Sequence, residues 1–292
     1  MLLIGENLNI MSVKIGEALK QRDPAPIKEM ALTQARAGMD MIEINLGPAR
    51  KNGPELMEWV VRTVQETVDL PLSLDTTNIE AMEAGLSVHR GKALINSISA
   101  RPERIEALMP LVKKYNADFV GLTLGKDGIP RDVNERGLLA AQILAEAANY
   151  RIPEEDIWLD PIVLPINTQQ IQVQGCTEFV MMLAELAPHS KSTCGLSNIS
   201  NGAPRHLRGI LNRTYLVMIK RYGMYSAIVD TFDEELRMIV KDEKPELENL
   251  IYRIMDGDDV DVSVLSEQEK RYAKTAKVLL GRTLYSDSWL EL

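Results

Sequence analysis

Leu72-Ser73-Leu74-Asp75-Thr76-Thr77-Asn78-Ile79-Glu80 decides how the rest of the chain is read. A short apolar run at 72–74 stops at a carboxylate. Thr77 and Glu80 follow with the spacing of a capping box, so a helix is expected to start there. A strand that feeds a helix within a few residues is the unit of a parallel sheet. The same punctuation recurs at 2–4, 41–44, 93–95, 119–122, 157–159, 193–196 and 227–229, which with the first run makes eight. Helical periodicity fills the gaps. Leu56, Trp59, Val60 and Val64 share one face of 54–68; Ile105, Leu108, Met109 and Val112 form a second stripe, and Leu139, Ile143 and Leu144 a third. Asp23-Pro24-Ala25-Pro26 reads as a helix start and Gly38 as its stop.

Eight alternations with nearly continuous apolar strands imply a parallel sheet covered by helices, and eight units close as a barrel. An open doubly wound sheet would carry a Gly-rich fingerprint after its first strand, and Gly5-Glu6-Asn7 lacks one. The expected fold is therefore α/β, a TIM (β/α)8 barrel forming one domain over residues 1–292. The stretch 241–266, with Asp256-Gly257-Asp258-Asp259 within it, reads as a polar surface excursion before a final helix near 267–280.

Acidic residues outnumber basic ones, 42 against 33, for a net charge of −9. Phosphate backbones and anionic lipid surfaces both need clustered positive charge, so neither nucleic acid nor a membrane is an expected partner. Two cysteines, Cys176 and Cys194, are too few for a disulfide scaffold. The first residues lack the basic region of a signal peptide, and no apolar stretch reaches membrane-helix length. A cytoplasmic protein is expected.

In such a barrel the active site forms where strands end. Those positions hold Glu6, Asn7 and Asn9; Glu43 and Asn45; Asp75; Asn96; Thr123; Asp160; Ser197 and Asn198; and Asp230. Carboxylates and carboxamides dominate, with hardly any fixed positive charge. That set suits a neutral heterocycle rich in N–H donors and ring nitrogens better than a phosphorylated ligand. Each residue also has a local reading. Asp75 could cap the next helix, Asp160 could belong to an Asp-Pro turn, and Asn96 and Asn198 could bond their own loops. Polar groups at all eight strand ends weigh against reading each one locally. His89, His189 and His206 are scattered without metal-ligand spacing, so no metal site is expected. Cys194 reads as a small core residue, and the 14 methionines as core filler.

These residues resemble a known family. Gly5-Glu6, Arg22-Asp23-Pro24-Ala25-Pro26, Asn45-Leu46-Gly47-Pro48-Ala49, Leu74-Asp75-Thr76-Thr77-Asn78, Ile95-Asn96-Ser97, Asp160-Pro161, Gly195-Leu196-Ser197-Asn198-Ile199-Ser200 and Asn212-Arg213 are similar to motifs of the pterin-binding methyltransferases that serve corrinoid proteins. The resemblance implies a pterin-binding TIM barrel, usually a homodimer. It also implies that Asp75, Asn96 and Asp160 hydrogen-bond the pterin, with Glu6, Glu43, Asn9 and Ser197 as further candidates around it. Asn198 corresponds to the asparagine that reaches N5, and is the expected catalytic residue. Tetrahydrofolate or 5-methyltetrahydrofolate is the implied substrate, the corrinoid arrives on a partner protein, and no protein-bound metal is implied.

Two branches differ in partner. Glu43, the stretch Asn201-Gly202-Ala203-Pro204 and the long segment 241–266 depart from the branch serving the iron–sulfur corrinoid protein of the acetyl-CoA pathway. The departures favour a tetrahydrofolate methyltransferase of anaerobic demethylation. More distant alternatives are a dihydropteroate synthase-like enzyme, for which no basic diphosphate-binding loop is visible, and a non-catalytic folate-binding module.

Overall fold

Eight parallel strands order as β7-β6-β5-β4-β3-β2-β1-β8 in a computed structural model that describes residues 1–291. They are β1 (Leu2–Asn9), β2 (Met41–Gly47), β3 (Leu72–Thr76), β4 (Leu94–Ser99), β5 (Asp118–Leu122), β6 (Ile157–Asp160), β7 (Lys191–Ser192) and β8 (Ser226–Val229). A parallel bridge between Gly195 and Ile228, with Ile228 N donating to Cys194 O at 2.9 Å, brings the two end strands together. The TIM-barrel expectation is met.

Helices α1 (Val13–Gln21), α2 (Pro24–Arg36), α3 (Gly53–Gln65), α4 (Ile79–Val88), α5 (Pro102–Tyr115), α6 (Val133–Asn149), α7 (Ile166–Leu186) and α8 (Arg205–Arg221) separate the strands. Helices α9 (Glu234–Val240), α10 (Pro245–Asp256) and α11 (Glu267–Leu279) follow β8. The apolar stripes read from the sequence turn toward the sheet: Ile105, Leu108, Met109 and Val112 are all buried on α5. Among the described residues no helix is long and apolar enough to cross a membrane.

Strand alternation sorts the barrel interior into levels. Ile4, Met41, Leu94, Val120, Trp158 and Ile228 form a separate apolar cluster across its middle. Below them Asp118 accepts from Trp158 Nε1 at 2.8 Å and pairs with Lys92 at 2.7 Å and Lys191 at 2.9 Å. Apolar packing and ion pairs thus close the lower end. Two residues further along each strand, Glu6, Glu43, Asn96, Leu122, Asp160 and Asp230 reach the open end.

Three expectations are corrected. The strand expected at 193–196 is shorter and earlier: Lys191–Ser192 is followed by a 3-10 turn over Leu196–Ser200. Thr193 and Cys194 still bond Leu159 O and Ile228 N through their main chain, so their apolar character reflects burial between two strands. The cap of α4 is Asn78, not Thr77: its Oδ1 accepts from Ala81 N at 2.8 Å and its Nδ2 donates to Ala49 O at 3.1 Å. That tie to a neighbouring loop, invisible locally, fixes the helix start. The supposed polar excursion contains α10, which buries Leu247, Leu250, Ile251 and Ile254. These positions share one face, and acidic residues between them masked the pattern.

Gly5, within the first family-like motif, has a packing reason to be glycine. A Cβ there would stand 1.8 Å from Gln34 Oε1, and Thr231 Oγ1 would be 2.9 Å away.

Candidate functional site

Backbone irregularities aim the strand-end side chains. The β1–β2 register shifts between Gly5 and Leu8, β2–β3 between Asn45 and Gly47, and β4–β5 between Ile95 and Ile98. An extra residue bends a strand and redirects its side chains. Glu6, Asn45 and Asn96 lie at or beside these three shifts.

Hydrogen bonds join the rim across the mouth. Asn96 Nδ2 donates to Glu43 Oε1 at 2.8 Å, and Asn45 Nδ2 donates to Asp75 Oδ2. Asn45, Asp75 and Asn96 are also direct register partners across β2, β3 and β4. On the far side Ser197 Oγ donates to Glu6 Oε2 at 2.8 Å, and Asn7 Nδ2 to Asp230 Oδ1 at 2.9 Å. Asp160 takes one main-chain bond, from Ile162 N at 2.7 Å, so it orders its own Asp-Pro turn while its second oxygen remains available. Asn198, on the turn after β7, is exposed.

Burial dominates the electrostatics. It holds Glu6 and Glu43 above the usual carboxylate range; the facing Asp75 raises Glu43 further, against an opposing hydrogen bond from Asn96. Burial pushes Asp75 up to about 6, opposed by the Asn45 hydrogen bond and the Arg104 charge. Asp160 is pushed up to about 7, opposed by its main-chain bond and by Arg136. Such groups gain most from a ligand that presents N–H donors, because charge-assisted hydrogen bonds return what desolvation took away.

The structure gathers Glu6, Glu43, Asp75, Asn96, Asp160 and Ser197 around one mouth. Asn9 is the register partner of Asn45, and its Oδ1 accepts from Met11 N at 2.9 Å and shapes the loop after β1. The expectation of hardly any positive charge is corrected by two arginines. Arg104 donates to Thr77 O at 3.1 Å and Ser97 O at 3.2 Å, and Arg101 to Gly125 O at 3.2 Å. With Asp75, Thr77, Asn96 and Ser99 they line a cavity of ≈ 220 Å³. Both sit at the start of α5, a loop beyond the strand ends, where sequence alone offers no signal that they turn inward. Fully buried Arg136 was also unforeseen. From α6 it donates to Pro161 O at 2.8 Å and Gln172 Oε1 at 2.8 Å, clamping the backbone beneath Asp160.

Comparisons with known proteins agree with this geometry. The chain is 29% identical over 238 residues to the methylcorrinoid:tetrahydrofolate methyltransferase of Eubacterium limosum, covering 81% of this chain and 87% of that one. It is 29% identical over 239 residues to the methionine synthase of Mycobacterium leprae, covering 78% of this chain but 20% of that much longer protein. Among solved structures, Xanthomonas albilineans dihydropteroate synthase with 4-aminobenzoic acid superposes with a TM-score of 0.63 at 18% identity, over 84% of this chain and 93% of that one, a likeness of fold. The family model described as pterin binding enzyme matches residues 5–230, from the motif at the end of β1 to Asp230 at the end of β8. The chain belongs to the pterin-binding enzyme family.

Proposed function

We propose that this protein is a methyltransferase that moves a methyl group between N5 of tetrahydrofolate and the cobalt of a corrinoid carried by a partner protein, in the direction that forms methyltetrahydrofolate in an anaerobic demethylation pathway. The observation that carries the reading is a barrel closed at its lower end, with a ring of carboxylates and carboxamides at its open mouth. The Eubacterium limosum relative supports the reaction and its direction. The corrinoid supplies a cobalt centre able to give or take a methyl group. Asp75, Asn96 and Asp160 hold the donor-rich edge of the pterin. Asn198 then faces N5, which takes the methyl group and yields its proton to water at the open mouth. A carboxamide can turn either its N–H or its oxygen toward N5, so it serves both protonation states. Positioning contributes much of the rate. The same proposal places the protein in the cytoplasm as a homodimer, for which exposed Leu138 on α6 and Ile171 on α7 offer apolar contacts.

Transfer from methylcobalamin to tetrahydrofolate, followed by absorbance, tests the reaction. Formation of methyltetrahydrofolate supports it. Tight folate binding without transfer, from either free or protein-bound methylcorrinoid, would leave a folate-binding module instead.

Affinity is expected to depend on pH. The pterin edge needs ionised acceptors, and Asp75 and Asp160 titrate at about 6 and about 7. Binding should therefore strengthen from pH 5 to pH 8, then level, and release protons within that window. Calorimetry in two buffers of different ionisation enthalpy reads the protons directly. Proton uptake, or affinity falling over this range, would mean that the neutral acids serve as donors.

A further inference from the structure

A second concave region borders the mouth where the loops after β1 and β2 meet. It encloses ≈ 370 Å³, with Ile10 and Leu46 in its floor and Lys20, Arg22, Arg50 and Lys51 around it. Four basic residues in one pocket stand out in a protein of net charge −9. Arg22 is held in place: it donates to Glu55 O at 2.7 Å and lies over the Trp59 ring at 5.4 Å. Lys20 pairs with Glu17 at 3.2 Å on the surface. Among the described residues no carboxylate pairs with Arg50 or Lys51. The loop that presents them is strained, with Ala49 at φ 39° and Asn52 at φ 50° in the left-handed region. Strain of this kind collects at ligand clamps. Asn52 also leaves the first turn of α3 without a side-chain cap.

Asn45 links the pocket to the proposed pterin site. Asn45 contributes its amide to Asp75, while its main-chain oxygen accepts from Ile10 N at 2.9 Å on the pocket side. Rested on the function proposed above, the orientation follows. If the pyrimidine edge is held by β3, β4 and β6 and N5 lies at Asn198 after β7, the substituent on the adjacent C6 leaves over β1 and β2. We infer that this basic pocket binds the carboxylate-bearing tail of the folate, with the aminobenzoyl ring over the apolar floor and the α-carboxylate and γ-linked glutamates meeting Arg50 and Lys51. A rival pocket between α8 and α11 carries Arg205, His206, Arg213 and Arg271. Its Arg213 is already neutralised by Asp233 at 2.7 Å and by Glu235, and Ile210 is the one aliphatic side chain in its lining.

The test is calorimetry with three probes: 6-methyltetrahydropterin, monoglutamyl tetrahydrofolate and triglutamyl tetrahydrofolate. Wild-type protein should bind the triglutamate about tenfold more tightly than the monoglutamate, as expected for a few partly screened ion pairs. That preference should shrink as salt rises. The double variant R50A/K51A should lose it, and R50E/K51E should reverse it, while both bind the tail-less pterin as wild type does. Equal affinities for the two folates in wild type, or a preference untouched by either variant, would overturn the tail site and leave the proposed function standing. Failure of wild type to bind any of the three would overturn both. Pterin diphosphates carry the same anionic chemistry at C6. If 6-hydroxymethyldihydropterin diphosphate shows the Arg50/Lys51-dependent gain and condenses with 4-aminobenzoate, the pocket is a diphosphate site, which also overturns the inference.

Discussion

Asn198→Ala is expected to slow methyl transfer about 100- to 1,000-fold, the usual consequence of losing one hydrogen-bonding group aimed at developing charge, with tetrahydrofolate affinity little changed. The local structure makes this a clean substitution. The turn holding Asn198 is secured by main-chain bonds, Asn198 N to Gly195 O at 3.2 Å and Asn201 N to Asn198 O at 3.1 Å, which alanine retains. Ser197 further ties the turn to Glu6, and Arg208 Nε donates to Ser200 Oγ at 3.2 Å. The Asn198 amide is therefore not needed to hold its own loop. If its hydrogen bond to N5 strengthens on the way to the transition state, removing it lowers the rate more than the affinity. In the reverse transfer, where N5 is the leaving group and needs a donor, Asn198→Asp should also be poor near neutral pH, since an ionised carboxylate accepts but cannot donate. Gly195 bears on the same geometry, because a Cβ there would come within 2.9 Å of Asn198 Nδ2. Single-turnover transfer beside folate titration on the same variant separates the outcomes. Wild-type rates at saturating folate would remove Asn198 from the mechanism. Parallel loss of rate, affinity and thermal stability would make it a loop residue.

Asp160→Asn should separate binding from stability in the opposite sense. Folate affinity should fall by the worth of a charged hydrogen bond, on the order of 1.5–3 kcal/mol, while the unliganded protein becomes more stable. The sign follows from burial. Asp160 is raised from 3.8 unfolded to about 7 folded, so the fold prefers its neutral form. Its cost to stability is absent below the unfolded value, grows between roughly pH 4 and pH 7, and is constant above; a shift of that size corresponds to about 4 kcal/mol as an upper bound. Asparagine keeps an oxygen for Ile162 N and carries no charge. Urea unfolding at pH 4.5 and pH 8 should show the variant gaining on wild type only as pH rises. Equal destabilisation at both pH values would make Asp160 a structural turn residue. Asp75→Asn should behave similarly but less strongly, because Arg104 and Asn45 already offset part of its burial.

The sequence by itself determined the architecture and the content of the polar rim, because both rest on short-range periodicity. An apolar run that ends in a polar residue before a helix is legible within ten residues. In a parallel barrel the same alternation that buries Ile4, Trp158 and Ile228 places Glu6, Asp160 and Asp230 two residues higher. Family motifs then added an expected ligand that alternation alone could not name. What only the tertiary structure decided were features made by segments distant in the chain. Arg101 and Arg104 enter the mouth from beyond a strand end, and Arg136 supports Asp160 from another helix. Lys20, Arg22, Arg50 and Lys51 form no basic loop in sequence, because the last turn and C-cap of α1 contribute two and the loop after β2 the other two, and these segments meet only through adjacent strands. Asn78 rather than Thr77 caps its helix, and Thr193 and Cys194 bridge two strands without forming one, because hydrogen bonds to other loops and strands outweighed local preference. The ionisation of the rim was equally beyond local reading, since burial and facing charges set it, and both exist only once the barrel has closed.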